Sequence, residues 1–277
     1  NERFSMNAGL RYDHFNMQYR DELDNGNVTK TSAGILSPKL NFYYYHDSKT
    51  EIYLTAGKGF DSNDTRVAVH TGGREVLPAA YGSDLGVVLK PTRNLLVNAA
   101  VWYLYLEQEF VYVGDEGIVE PSGRTRRLGL DLSVRYQPVA WLFIDMDANY
   151  CRGRAVDEPK GADHIPLAPV ITSAGGITYK SKQGLSAAVR YRYMHDRPAN
   201  EDKSVIAKGY LINDLVINYT RSSFEIGLSV QNLFDVRWKE TQFDTESRLK
   251  DEPSPVSEIH FTPGTPFFVK VGVTYTF

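Results

Sequence analysis

A strict alternation of apolar and polar residues runs through most of the chain and stops only at its last residue. In the C-terminal segment "FFVKVGVTYTF", one face carries Val269, Val271, Val273, Tyr275 and Phe277. The other face carries lysine, glycine and threonine side chains. A period of two residues is the repeat of a β-strand, whose successive side chains point to opposite sides. The segment is therefore predicted to be a strand with one apolar and one polar face.

The same alternation recurs along the chain, for example in residues 4–12, 128–136 and 185–193. Counting such segments predicts about twelve strands. No segment shows a helical period of useful length, and no apolar run is long enough for a membrane-spanning helix. The net charge of -3 argues against a nucleic-acid partner, and the single cysteine, Cys151, excludes an internal disulfide. The sequence thus predicts an all-β protein.

The connections between the predicted strands alternate in length. Short connections are predicted at 46–50, 90–93, 137–140, 181–184 and 220–223. Long connections are predicted at 20–32, 58–80, 114–126, 152–166, 196–208 and 236–264. Tight turns at one end and long loops at the other are typical of an outer-membrane β-barrel. A β-sandwich is the alternative, but a sandwich distributes its connections more evenly and uses shorter strands.

Aromatic residues decide which way the apolar face points. Five of the six predicted strands that run into short turns end on an apolar-face aromatic, namely Tyr44, Tyr136, Tyr179, Tyr219 and Phe277, and the sixth ends at Leu89. A soluble core has no reason to place aromatics at one height, whereas a membrane interface holds the ring among lipid headgroups and keeps a hydroxyl wet. We therefore predict a transmembrane antiparallel up-and-down barrel, with residues 1–277 forming a single domain.

Several segments resemble TonB-dependent outer-membrane receptors. "NAGLRYDHF" and "LSPKLNFYY" are similar to outgoing and returning strands of that family, and "AGKGFDSNDTR" to a segment at a loop mouth. "QNLFDVRWKE" resembles the family's Asn-Leu-Phe-Asp motif, and "TPGTPFFVKVGVTYTF" resembles its closing strand. The resemblance implies that Phe277 is a signal for barrel insertion. It also implies that the chain corresponds to the C-terminal part of a larger barrel, which in the family follows a plug domain and a TonB box.

A function follows from this resemblance. It implies an outer-membrane receptor that imports an iron–siderophore complex or another scarce nutrient, with energy delivered by TonB through the plug domain. Implied partners are outer-membrane lipids, a small nutrient or metal-chelate ligand, and the barrel assembly machinery at the C-terminal strand. Two alternatives stay open: a passive channel made by a self-closed barrel of about twelve strands, and an outer-membrane lipase. Neither a G-x-S-x-G motif nor a nucleotide-binding fingerprint is present, so no cofactor and no enzyme activity are predicted.

The candidate site residues belong to two groups. Charged residues predicted to line the lumen are Arg127, Asp131, Arg135, Asp145, Asp147, Arg190 and Arg192. They form either a charge ladder across a wet wall or a selectivity lining for an anionic or zwitterionic solute. Residues predicted to contact a ligand in the loops are Arg66, His70, Arg74, Trp238 and Phe243. The histidines show no ligand spacing, so no metal site is predicted.

The closing strand yields a first testable prediction. Deleting Phe277, or changing it by Phe277→Asp, should impair insertion into the membrane, because the change removes an interfacial anchor and the assembly signal implied by the resemblance. The yield of heat-modifiable barrel in outer-membrane fractions measures the effect. A normal yield from Phe277→Asp would contradict the prediction.

Overall fold

The computed structural model describes residues 3–22, 26–61, 76–113 and 118–277, and within these ranges the chain forms strands and turns without a helix. The first nine strands are β1 (Phe4–Asp21), β2 (Asn27–Asp47), β3 (Thr50–Phe60), β4 (Ala79–Thr92), β5 (Leu95–Leu106), β6 (Glu109–Val113), β7 (Ile118–Ser122), β8 (Thr125–Val139) and β9 (Leu142–Ala155). The remaining strands are β10 (Ile171–Lys180), β11 (Leu185–Met194), β12 (Arg197–Pro198), β13 (Ile206–Ala207), β14 (Tyr210–Arg221), β15 (Phe224–Gln231), β16 (Lys239–Ser247), β17 (Val256–Pro263) and β18 (Phe268–Tyr275).

One antiparallel sheet organises the protein. It contains 12 strands in the order β1-β2-β3-β4-β5-β8-β9-β10-β11-β14-β15-β18, so the predicted number of strands is confirmed. Three separate hairpins, β6–β7, β12–β13 and β16–β17, are inserted between strands of this sheet. Among the described residues no ladder joins β1 to β18, and no helix is long and apolar enough to cross a membrane. The sheet therefore runs up and down in chain order, with β1 and β18 at its two edges.

The register gives the sheet one apolar and one polar face. Leu132 on β8 lies opposite Ala99 on one side and Ala148 on the other. The next residue, Ser133, lies opposite Asn98 and Asp147. Apolar-face side chains are not covered by other parts of the described chain, since Leu128, Leu130 and Val273 are 53%, 51% and 70% exposed. Apolar exposure repeated on every strand needs a partner other than water.

Aromatic rings stack beside the short turns, where the sequence predicts an aromatic row. Tyr44 packs on Phe4 with ring centroids 4.9 Å apart, and Tyr179 packs on Trp141 at 5.6 Å. Tyr219 packs on Phe224 at 6.0 Å. Phe4 lies on the strand next to that of Tyr44, Trp141 lies in the turn between β8 and β9, and Phe224 lies across the short turn from Tyr219. The alternation within a single strand therefore did not reveal these partners. Paired rings stabilise this end of the sheet by roughly 0.5–1.5 kcal/mol per pair beyond their burial.

The C-terminal strand is shorter than its alternation predicts. β18 ends at Tyr275, so Phe277 lies outside the strand. Its ring still contacts Tyr275 edge-on, with centroids 5.2 Å apart. The last register pair joins Phe224 to Tyr275, and one further backbone hydrogen bond runs from the Thr276 N–H to the Ser223 carbonyl at 2.8 Å.

The predicted loop at 20–32 is wrong, because β1 and β2 extend through most of it. β1 continues to Asp21 and β2 begins at Asn27. In this outer half of the hairpin, apolar side chains occupy the opposite face from the one used nearer the turns. They form a cluster comprising Ile35, Val76, Leu77 and Ala79, with Phe15, Met17, Ala33 and Phe60 packed against it. The alternation changes face here because the segment 76–79 covers the hairpin, and a single-face reading misses the extension.

Short strands also occur within three regions predicted as long loops. β7 lies within 114–126, β12 and β13 within 196–208, and β16 and β17 within 236–264. In the last hairpin, side chains join the strands: the hydroxyls of Thr241 and Thr262 are 2.8 Å apart, and the Ser257 hydroxyl donates to Asp244 at 2.6 Å. β16 and β17 carry polar residues on both faces, and the strands in the other two regions are only two or five residues long, so hydropathy alternation does not detect them.

The two faces of β8 yield a prediction. Leu132→Arg should cost on the order of 2–4 kcal/mol of folding free energy, because it puts a charge near the middle of the face predicted to contact lipid. Ser133→Arg is the matched control, since it adds the same side chain beside Asp147 on the polar face. Urea-induced unfolding of each barrel variant in detergent or lipid, followed by gel mobility, measures the difference. Equal costs, or the reverse order, would mean that the faces are assigned the wrong way round.

Candidate functional site

Charged residues of the polar face form ion pairs between strands of the sheet. Arg135 on β8 donates from Nη2 to both carboxylate oxygens of Asp147 on β9, at 2.9 and 2.8 Å. Arg190 on β11 forms an ion pair with Asp145 on β9 at 2.5 Å. Charge-assisted hydrogen bonds of this kind are stronger than neutral ones and hold both side chains in place. Four of the seven charges predicted for the lumen thus meet in two ion pairs.

Gly176 makes the second of these ion pairs possible. It lies on β10 between the paired residues, directly opposite Asp145 on one side and Arg190 on the other. A Cβ at Gly176 would lie 2.9 Å from Cδ of Arg190 and would also collide with the carbonyl of Val189. Arg190 therefore reaches Asp145 over a strand that has no side chain at this point.

Two further carboxylates continue the network at its two sides. Arg192 reaches Asp214 on β14 at 3.3 Å, and Asp131 accepts a hydrogen bond from the amide of Asn149. Asp214 and Asn149 were missed in the sequence. Alternation offers a signal for both, since Asp214 precedes the apolar-face Leu215 and Asn149 precedes Tyr150. Arg127, the remaining predicted charge, lies opposite Leu104 and Gly153 on the same face.

An open recess of about 520 Å³ lies on this polar face. Its polar lining includes Tyr53, Asn98, Asp131, Ser133, Asp147, Asn149 and Arg192. The Tyr53 hydroxyl lies 3.3 Å from Oδ1 of Asn98. Paired charges and neutral hydrogen-bonding groups suit a polar or zwitterionic solute better than a strongly charged one. Across the described part of the chain, no group of three or more histidine, cysteine or acidic residues could hold a metal ion.

Three long connections meet at the end of the sheet opposite the short turns. The segment after β9 bonds to the β12–β13 region, with the amide of Leu167 donating to the Pro198 carbonyl at 2.7 Å. Buried Gln242 of β16 accepts from the Lys208 amide at 2.9 Å and donates to the Lys208 carbonyl at 2.8 Å. We call this interlocked set, residues 156–170, 195–209 and 232–267, the loop rim.

A charged contact also holds the loop rim together. Asp196 accepts from the Gly209 amide at 2.7 Å and forms an ion pair with Lys208 at 2.9 Å. The Gly209 N–H first, and the Lys208 ammonium second, hold the pKa of Asp196 below its usual range. At pH values above the pKa that this carboxyl has in the unfolded chain, these contacts stabilise the loop rim. Their contribution is lost as the pH falls through the lowered pKa of the folded state.

Trp238 joins the loop rim to the polar-face network. Its indole N–H donates to the Thr265 carbonyl at 3.0 Å, and its ring packs on Tyr210 with centroids 4.9 Å apart. The guanidinium of Arg192 lies 5.9 Å from the Trp238 ring centroid. Phe243, predicted with it, lies opposite His260 in the β16–β17 hairpin. The predicted ligand residues Arg66, His70 and Arg74 lie outside the described residues.

The "QNLFD" motif ties the end of β15 to the start of β18. Asn232 is buried with φ near 50°, and its amide donates to the carbonyls of Val236 at 2.8 Å and Thr265 at 3.0 Å. Asp235 accepts from the Phe267 amide at 3.1 Å. The backbone N–H of Asn232 also donates to Asp214 at 2.9 Å, which links the motif to the charge network. An alanine at position 232 would leave these carbonyls unsatisfied.

Comparison with known proteins identifies the family. The family model described as TonB dependent receptor-like, beta-barrel matches residues 1–233. The metal-pseudopaline receptor CntO of Pseudomonas aeruginosa (strain UCBPP-PA14) is 24% identical over 281 aligned residues, covering 91% of this chain and 38% of that protein. The chain therefore belongs to the TonB-dependent receptor β-barrel family.

Solved structures share the fold. The unliganded ferric citrate transporter FecA aligns with a TM-score of 0.78 at 16% identity, over 98% of this chain and 42% of that one. The ferric yersiniabactin uptake receptor FyuA of Yersinia pestis aligns with a TM-score of 0.75 at 15% identity, over 100% of this chain and 44% of that one. The chain spans less than half the length of these relatives. The predicted family and the transmembrane barrel fold are confirmed, and the family consists of outer-membrane receptors and transporters, not enzymes.

The role of Gly176 gives a third prediction. Gly176→Val should destabilise the barrel by roughly 1–3 kcal/mol, because the added side chain overpacks the strand and separates Arg190 from Asp145. Ala174→Val is the control: it lies two residues away on the same face and strand, is exposed, and already carries a Cβ. We expect the control to stay within about 0.5 kcal/mol of the parent. Similar losses in both variants, measured by unfolding in detergent, would disprove the spanning role of Arg190.

Proposed function

We propose that this chain is the C-terminal barrel portion of an outer-membrane receptor that imports a scarce nutrient as a metal chelate, such as an iron–siderophore complex. The interlocked loop rim above a polar wall of paired charges carries the proposal, because such a rim offers a preformed site for a small polar ligand at the cell surface. Residues 1–277 form one domain, a proposal supported by a single sheet that includes both the first and the last strands.

The chemical class of the nutrient is suggested by the relatives. The relative with 24% identity is a receptor for metal-pseudopaline, and the structural neighbours include a ferric citrate transporter. Both names pair a metal with a second compound. The charged residues of the polar face line the path of this solute into the lumen, and Trp238 and Phe243 supply aromatic contacts at the rim.

We propose the wider arrangement by analogy with the family. Energy reaches the barrel from TonB through a plug domain, the apolar face contacts outer-membrane lipids, and the barrel assembly machinery recognises the C-terminal strand.

An uptake assay tests the core of the proposal. Cells lacking the intact protein should lose uptake of a radiolabelled ferric chelate and regain it on complementation, and an uncoupler of the proton gradient should abolish the uptake. Uptake that continues in uncoupled cells would instead indicate a passive channel.

The loop at 58–80 yields a fourth prediction. In the intact receptor, changing Arg66 and Arg74 together to alanine should weaken binding of an anionic metal chelate at least tenfold, because two charge-assisted contacts of roughly 1.5–3 kcal/mol each are lost. Assembly of the barrel should be unchanged, since long loops contribute little to the stability of the sheet. Unchanged affinity in equilibrium binding would exclude this loop as a ligand contact and leave Trp238 and the last loop as the candidates.

A further inference from the structure

One arginine of the loop rim is buried without a full set of hydrogen-bond partners. Arg197 lies on β12 opposite Ala207 of β13, and the residue is only 7% exposed. Its Nη1 group is buried and donates to no acceptor in the part of the chain that the structure describes. Buried polar groups normally have partners, because burying a charged donor without one costs considerable free energy. Arg197 therefore needs an acceptor from outside the described residues.

The carboxylate next to Arg197 in the chain is already engaged in other contacts. Oδ1 of Asp196 accepts from the Gly209 amide, and Oδ2 forms the ion pair with Lys208. Burial lowers the pKa of the Arg197 guanidinium, and the nearby Tyr210 and Asp196 act in the opposite direction. The guanidinium stays charged all the same, because arginine does not lose its proton in proteins. Arg197 is thus a buried cation whose nearest carboxylate serves two other groups.

Tyr210 connects Arg197 to the polar wall of the sheet. Tyr210 is the first residue of β14, lies near the Arg197 guanidinium, and packs its half-buried ring on Trp238. The Arg192 guanidinium lies 5.9 Å from the Trp238 ring centroid, and the Arg192 side chain is 53% exposed. We call Arg192, Arg197, Tyr210 and Trp238 the arginine–aromatic cluster. It reaches from the interior of the loop rim to the surface that faces the lumen.

The arginine–aromatic cluster has an excess of positive charge. Arg192 makes one contact with Asp214 at 3.3 Å, and the same carboxylate also accepts from the Asn232 amide. Lys208 is paired with Asp196. Among the ion pairs that join described residues, none includes Arg197. A single negative charge placed at Arg197 therefore balances the cluster and supplies the missing acceptor.

A carboxylate is the anion that fits this position best. Its two oxygens lie in one plane and match the fork of a guanidinium group, which can donate two parallel hydrogen bonds to them. A phosphate monoester carries about 1.5–2 negative charges at neutral pH, which is more than the cluster balances. The rings of Tyr210 and Trp238 offer apolar faces to the carbon skeleton that bears the carboxylate. The cluster thus combines one anion contact with an aromatic surface beside it.

We propose that the arginine–aromatic cluster anchors a carboxylate of the imported metal chelate, and that Arg197 selects chelators that present a carboxylate not bound to the metal. The carboxylate accepts from Nη1 of Arg197 beside Tyr210, and the attached carbon skeleton lies against the Trp238 ring. Arg192 attracts the same anion from the lumen side. The inference rests on the proposed function, because it names the chemical class of the solute that the receptor imports. Chelators that bind iron only through hydroxamate or catecholate oxygens lack the group that Arg197 recognises.

Calorimetric titration of the intact purified receptor in detergent tests the site. The probes are ferric citrate, which carries carboxylates, and a ferric trihydroxamate that carries none. The parent protein should bind ferric citrate at least tenfold more tightly than the trihydroxamate. Arg197→Gln should weaken ferric citrate binding at least tenfold, and Arg197→Lys should lie in between, since lysine keeps the charge but not the fork.

Two further variants accompany this titration. Arg192→Gln should also weaken ferric citrate binding, and this exposed position decides the matter if Arg197→Gln does not assemble into a heat-modifiable barrel. Arg221→Gln is the matched control, because Arg221 lies at the other end of β14, where it donates to the Tyr219 hydroxyl, and should leave binding unchanged. Tighter binding of the trihydroxamate by the parent, or unchanged ferric citrate affinity in Arg192→Gln and Arg197→Lys, would overturn the inference.

Hydrogen exchange in the ligand-free protein separates a ligand site from a structural contact. Arg197→Met keeps an apolar stem and removes the buried charge, so amide exchange in residues 195–209 should slow relative to the parent. Faster exchange in this variant would mean that Arg197 already has a stabilising partner within the chain, and would overturn the inference.

Uptake by energised cells separates this inference from the proposed function. Uptake of the trihydroxamate without any binding of ferric citrate would overturn the role of Arg197 and leave the proposed function standing. Ferric citrate binding that depends on Arg197, without uptake of any metal chelate, would reject the proposed function and leave the carboxylate site standing.

Discussion

Hydrogen bonding between neighbouring strands is the constraint on which the rest of the structure depends. A face made of leucine, valine and tyrosine side chains can meet lipid only if no backbone N–H or C=O is left unpaired, because lipid offers no hydrogen-bonding partner. The ladders that run from β1 to β18 satisfy this requirement strand by strand within the described sheet. Once the ladder is formed, its period of two assigns every side chain to one of two faces.

The polar face follows from the same ladder but is stabilised differently. Arg190 and Asp145 are separated by a complete strand, and they meet only because Gly176 leaves the space between them empty. Asp214 connects Arg192 on its own wall to Asn232 of the turn after β15. The same residues therefore take part in the ion pairs, in the turn after β15 and in the attachment of the loop rim. The loop rim is anchored to this wall through Trp238, which contacts both Tyr210 and Arg192.

Sequence and structure agree best where a single face explains the pattern. The twelve strands, the short turns and the aromatic row follow from alternation, because lipid on one side and a polar interior on the other impose it on every strand. The extension of β1 and β2 was not predictable, because Phe15 and Ile35 pack beneath Val76, a residue that reaches them only through the fold. The small hairpins were not predicted because their strands are either very short or, in β16 and β17, polar on both faces.

The sequence by itself determined which face of each strand is apolar near the short turns, where the tight turns lie, and that seven of the charges share the polar face, because these properties depend only on neighbours along one strand. The tertiary structure alone decided which of those charges meet. Arg135 with Asp147, Arg190 with Asp145 and Arg192 with Asp214 are pairs between strands, and their contacts depend on the register and on a missing side chain at Gly176. The loop rim likewise joins residues that are distant along the chain, through contacts such as the hydrogen bond from the Leu167 amide to the Pro198 carbonyl.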